Sequence, residues 1–142
     1  MADVHDIATR SYNMSRIKGM DTKPEMLVRR YLHSHGVRYR LHNKNLPGKP
    51  DLTLVKIHTV IFVNGCFWHG HRGCKYFVLP KTRTEWWQEK IQKTIMRDDK
   101  TIQELKRLGW NPKVIWECEL KPENRNTTLE NTLLTISEKV KI

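Results

Sequence analysis

Cysteine is scarce in this chain and apolar residues never run long. Three cysteines in 142 residues cannot all pair with one another, and a reducing compartment disfavours disulfides in any case. Metal binding or plain burial are the roles left to them. No apolar stretch approaches the ~18 residues of a membrane helix, and neither a lipidation pattern nor a strongly basic amphipathic helix is present. A membrane partner is therefore not expected. Met1-Ala2-Asp3-Val4-His5-Asp6 holds no signal-peptide core, so the expected location is cytoplasmic. Acidic residues are the scarcer sign, with 15 Asp+Glu against 26 Lys+Arg, a formal charge of +11 and a pI near 9.8. A surface that basic gains affinity for polyanions by releasing counterions from phosphates, which makes nucleic acid the expected partner. Neither repeat nor linker divides the chain, and its length suits one domain over residues 1–142.

Residues 1–20 carry Arg10, Arg16 and Lys18 among small and polar residues. They read either as a solvated arm or as one that orders on a phosphate backbone. Thr22-Lys23-Pro24-Glu25 opens a helix, with Thr22 as cap, Pro24 in the first turn and Gly36 as the stop. Glu25 is accounted for there as half of a capping box. Val37 to Leu41 alternates as a half-exposed strand, Leu46 to Pro50 makes a turn, and Asp51 leads Leu52 to Val55 into a second strand. Thr59 to Asn64 pairs back on it as a hairpin. Thr82-Arg83-Thr84-Glu85 is another capping-box pattern, ahead of a helix of about 24 residues, roughly 36 Å long, ending at Gly109. Along its second half Asp98 and Asp99 read as solvated partners of neighbouring cations. Lys113 to Trp116 is a further strand with Cys118 at its end, and residues 121–142 suit a peripheral helix. The predicted core, residues 21–120, thus runs helix, three strands, helix, strand: a mixed α/β sheet.

The chemistry concentrates in Val60 to Cys74. A short apolar run breaks at Gly65 into a turn bearing Cys66, Phe67, Trp68, His69, His71 and Cys74. Thiolate and imidazole are the ligands tetrahedral zinc favours, and Cys66, His71, Cys74 and Cys118 would close a structural site over the loop 65–75. On spacing His69 fits as well as His71, and three reduced buried cysteines are the plainer alternative. Phe67 and Trp68 at the turn, with Trp87 on the long helix, suit either a core or a wedge that unstacks base pairs. Phosphodiester hydrolysis needs a carboxylate-held divalent cation and a proton acceptor. Asp51 could hold magnesium beside the Val63 carbonyl, while His69 takes the nucleophile's proton and Asp98 orients its ring.

These residues bring the chain close to a known family. Its N-terminal Met1 to Asp6, Ala8-Thr9-Arg10-Ser11, Asn13-Met14, Asp21-Thr22, Glu25, Leu46 to Asp51, Val60-Ile61-Phe62, Gly65 to His69, Thr82 to Glu85 and Trp116-Glu117-Cys118 resemble the very-short-patch repair (Vsr) DNA mismatch endonucleases. That family is a branch of the restriction-endonuclease-like superfamily, whose core has the same α-β-β-β-α-β order. The resemblance implies a nick in one DNA strand, 5′ of the thymine in a T:G mismatch, with double-stranded DNA as partner. It implies Asp51 and the Val63 carbonyl as Mg²⁺ ligands, His69 as catalytic histidine supported by Asp98, and Glu25 as a further active-site acid. Structural Zn²⁺ falls to Cys66, His71, Cys74 and Cys118, and the wedge to Phe67, Trp68 and Trp87. The arm with Arg10, Arg16 and Lys18 would clasp the opposite groove. Other mismatch-repair proteins are candidate partners, and a monomer suits so asymmetric a lesion. Asn64 departs from the family, standing where well-known members carry a second active-site histidine. Gly70, Arg72 and Gly73 replace a histidine-rich run, with one more residue between zinc ligands. The competing readings are a zinc-stabilised binding module for distorted duplex that has lost cleavage, and a restriction-type enzyme cutting paired DNA.

Overall fold

The computed structural model describes residues 21–140. Helix α1, Lys23–Ser34, starts where the Thr22 hydroxyl accepts from the Glu25 N–H at 3.3 Å, and Val28 and Leu32 are its buried stripe. Four strands follow in the order β1 (Arg40–Leu41), β2 (Leu52–Leu54), β3 (Thr59–Asn64) and β4 (Asn111–Trp116), and they lie side by side in that sequence. The first three run antiparallel, whereas β3 and β4 are parallel, in register from Thr59 with Asn111 to Asn64 with Trp116. A parallel pair needs a crossover, and helix α2, Thr84–Arg107, provides it. Helix α3, Arg125–Val140, closes the chain. This mixed sheet with three helices is the expected α/β arrangement, consistent with a restriction-endonuclease-like core.

Val28 and Leu32 of α1, Leu52, Leu54, Ile61 and Ile115 of the sheet, and Leu129 and Ile136 of α3 bury one another. The C-terminal helix lies outside the sheet as expected, but its apolar face completes the main core. Ile91 and Leu105 are the buried positions of α2. Among the described residues no helix is long and apolar enough to cross a membrane.

Local departures from the sequence pattern have physical causes. The strand expected over Val37 to Leu41 pairs only through Arg40 and Leu41, because β1 is the sheet edge and both residues are exposed. Tyr39 instead donates its hydroxyl to the Arg29 carbonyl at 3.1 Å, tying the segment to α1. Thr82 does not cap α2. Arg83 turns left-handed at φ 57°, so the helix begins at Thr84, whose hydroxyl donates to the Pro80 carbonyl at 2.7 Å. Leu108, placed by periodicity on the apolar face, lies past the helix end and is exposed.

Candidate active site and metal centre

One end of the sheet collects the polar groups. Pro50 bars Lys49 from the right-handed helical region; Lys49 turns left-handed at φ 47° after Gly48 at φ 75°. Asp51 therefore enters β2 beside the end of β3, and its Oδ2 accepts from the Val63 N–H at 2.7 Å. Burial pushes the Asp51 carboxyl up to about 6; the Val63 N–H pulls it back, and the adjoining Glu25 carboxylate adds to the rise. Two carboxyl groups held together away from water offer the oxygen ligands that a hard divalent cation takes.

Glu25 lies in the first turn of α1, its N–H on the Thr22 hydroxyl and its carboxylate beside Asp51. It is 1 % exposed, accepts the Asp21 N–H at 3.2 Å and meets the Arg29 guanidinium at 3.1 Å. His42, directly after β1, reaches the same carboxylate with Nε2 at 3.1 and 2.9 Å. Asp21, Glu25 and His42 are the second group of oxygen and nitrogen donors that converge closely among the described residues.

The first such group is Cys66, His71, Cys74 and Cys118, whose donor atoms all lie within 4.8 Å of one another. The turn after Gly65 folds back so that the His71 N–H meets the Cys66 carbonyl at 2.9 Å. From the far side the Cys118 N–H donates to Cys66 Sγ at 3.3 Å, and Cys118 Sγ lies 3.5 Å from His71 Nδ1. The His71 ring is stacked flat on Trp116, 4.0 Å between centroids. Burial pushes the Cys66 thiol up to about 12 and raises Cys118, which Cys66 partly offsets. Burial is the largest single influence on Cys74 and raises it, but hydrogen bonds from the Tyr76 and Phe77 N–H groups and the neighbouring thiols together lower it. Three thiols and one imidazole around a common point form a closed donor set able to hold a metal ion.

His69 is outside this set. Its Nδ1 lies 2.6 Å from Asp98 Oδ2, across to the middle of α2. Its own N–H is bonded to the Gly65 carbonyl at 3.2 Å, two residues beyond Val63. Asp51 and His69 are thus held at the same strand end. A carboxylate on Nδ1 fixes the proton there and leaves the lone pair on Nε2.

Beside the loop the aromatic rings meet edge to face or tilted. Phe67 is 5.2 Å from Trp68 and 5.4 Å from Trp87, and Trp68 is 5.8 Å from Trp87. All three are half-buried. Trp86, 43 % exposed and 4.9 Å from Trp87, extends the cluster outward. Arg83 and Lys90 lie over its ring.

Every candidate from Asp51 to Cys118 thus gathers around one sheet end and its loop, whereas Arg10, Arg16 and Lys18 lie outside the described residues. Sequence reasoning missed His42, Asp21 and Arg29. A histidine after an exposed edge strand, seventeen positions from the acid it meets, carries no spacing signal. Arg29 was legible only as an i,i+4 partner of Glu25.

A mixed sheet ending in an aspartate, next to a carboxylate-held histidine in a basic protein, is the framework of a DNA endonuclease. The family model described as "DNA mismatch endonuclease Vsr" matches residues 2–75. The Escherichia coli (strain K12) DNA mismatch endonuclease Vsr is 45% identical over 127 residues, covering 89% of this chain and 81% of the relative. The Type II nicking enzyme V.NmeAIP of Neisseria meningitidis serogroup A is 46% identical over 121 residues, 85% of this chain and 86% of its own. V.XorIIP of Xanthomonas oryzae pv. oryzae, also a Type II nicking enzyme, is 46% identical over 111 residues, 78% and 81% of the two chains. The chain belongs to the Vsr family and is a DNA endonuclease of mismatch repair.

Proposed function

We propose that this protein nicks one strand of duplex DNA on the 5′ side of the thymine in a T:G mismatch, by Mg²⁺-dependent hydrolysis, in very-short-patch repair. The observation that carries the reading is the shared strand end: Val63 binds Asp51, and Gly65 binds His69. The Asp51 carboxylate and the Val63 carbonyl would hold Mg²⁺, which when bound supplies charge to the phosphate under attack. His69, kept in place by Asp98, takes the proton of the attacking water on Nε2. Glu25 serves as the second acid of the site. Zn²⁺ is the ion proposed for Cys66, His71, Cys74 and Cys118, because thiolate and imidazole suit it and no ligand position remains open for chemistry. Phe67, Trp68 and Trp87 form the wedge at the lesion, accepting a few kcal/mol of unstacking to open the duplex. Arg10, Arg16 and Lys18 contact the phosphate backbone from an arm over residues 1–20. The protein acts in the cytoplasm as a monomeric single domain, since an asymmetric lesion offers no two-fold site.

The test is a duplex with one T:G pair, each strand labelled separately, incubated with and without Mg²⁺ beside a T:A control. A nick confined to the thymine strand, 5′ of the T and dependent on Mg²⁺, is expected. Tight binding with no nick would instead establish a lesion-binding module, and equal cutting of the T:A duplex a restriction-type enzyme.

A further inference from the structure

Among the described residues His42 reaches Glu25 from the sheet side, while Arg29 and the Asp21 N–H hold it from α1 and its cap. Its backbone N–H donates to the Asp51 carbonyl at 3.1 Å while its Nε2 spans both oxygens of Glu25. One residue therefore links the acid on the helix to the acid on the strand. The backbone at His42 is left-handed, φ 47°, a conformation that strains a side chain and that glycine would adopt freely. Nothing in the turn demands an imidazole; the carboxylate it meets does. The ring is 19 % exposed against 1 % for the Glu25 side chain, so it covers the acid from solvent.

We propose that His42 is a positioning residue: its Nε2 holds the Glu25 carboxylate against Asp51, setting the pair of acids that receives the divalent cation. The proposal rests on the reading of Asp51 and Glu25 as the acids of the cleavage site. In that arrangement Arg29 anchors Glu25 from within the helix, and His42 decides its distance from the strand. Loss of the ring frees the carboxylate to rotate toward Arg29 and Asp21, and the pair of acids comes apart.

Two variants separate this role from general support of the fold. His42→Gln keeps the side chain's reach, one N–H donor and the strained backbone, whereas His42→Ala keeps only the backbone. Two readouts are taken: free Mn²⁺ by electron paramagnetic resonance during titration of the protein alone, and single-turnover nicking of a T:G duplex. Orienting partners of metal ligands are commonly worth about 10–100-fold in metal affinity or activity. His42→Ala is expected to weaken Mn²⁺ binding and slow nicking by about that factor at unchanged DNA affinity, with His42→Gln recovering most of both. Wild-type Mn²⁺ affinity in His42→Ala would overturn the proposal, as would equal impairment of the two variants. Should the wild type bind Mn²⁺ but fail to nick, the proposed function falls while the Mn²⁺ comparison still judges His42.

Discussion

At the scale of single residues, folding places the Asp51 carboxyl where it holds its proton up to about 6 rather than the ordinary 3.8, chiefly through burial. The sign of the consequence follows from proton counting. Between those two values the folded chain binds a proton that the unfolded chain has released, so rising pH favours unfolding across that window. The full span corresponds to about 3 kcal/mol at neutral pH in the metal-free protein. Asp51→Asn should therefore unfold at a higher temperature than wild type at pH 7.5 in EDTA, with the gap closing toward pH 4, and should not nick DNA. Parallel melting curves across that range would show that Asp51 is not held in this state. The same residue illustrates why a site of this kind attracts a cation: binding one removes a penalty that folding has imposed.

At the scale of elements, the segment 65–75 has little core of its own; besides the His69–Asp98 bond and the aromatic rings, two contacts fasten it. One is the cluster of Cys66, His71, Cys74 and Cys118, which draws a thiol from the turn after β4. Cys118→Ser should lower bound zinc from about one equivalent to well below half. It should also lower the melting temperature; retention of full zinc would place the metal elsewhere. The other fastening is Gly70, left-handed at φ 59°, where a Cβ would stand 2.7 Å from Ile91 Cγ2 and 2.6 Å from Ile95 Cδ1. Gly70→Ala should destabilise the protein by about 1–3 kcal/mol, an overpacking cost, measurable by denaturant unfolding. An unchanged midpoint would mean that the loop does not rest on α2. The glycine was visible in the sequence only as a departure from a histidine-rich run; its neighbours on the helix supply the reason for it.

For the whole molecule, the formal charge of +11 matters more than any single cation. Neutralising six to ten phosphates costs roughly 10³–10⁵ in affinity between 50 and 200 mM salt. Binding to a T:G duplex should weaken by about that much over the range, and binding to paired duplex by a similar factor, since both meet the same backbone. A loss under about tenfold would mean that base contacts and the aromatic cluster, not the phosphates, supply the affinity. The mixed sheet fixes where the site lies. Its edge strand, hairpin and parallel neighbour bring Asp51, Val63, His69 and the rings of Phe67, Trp68 and Trp87 to one end.

What the amino-acid order determined by itself was local. Glycine and proline positions, strand alternation and helical spacing depend on a few neighbouring residues, so the α-β-β-β-α-β order and the dense run from Cys66 to Cys74 were legible directly. Tertiary structure decided what depends on distance in space. Where spacing left His69 and His71 equal and the resemblance implied His71, the folded chain sets His71 among the thiols: Trp116 stacks on that ring while Asp98 takes the other. It set the Glu25 carboxylate beside Asp51, and it brought His42 across from the sheet edge. It also overrode the cap at Thr82, where the left-handed turn at Arg83 governs how the chain enters α2. Spacing along the chain measures only what one helix or strand can reach; pairing of strands and packing of helices set everything farther apart.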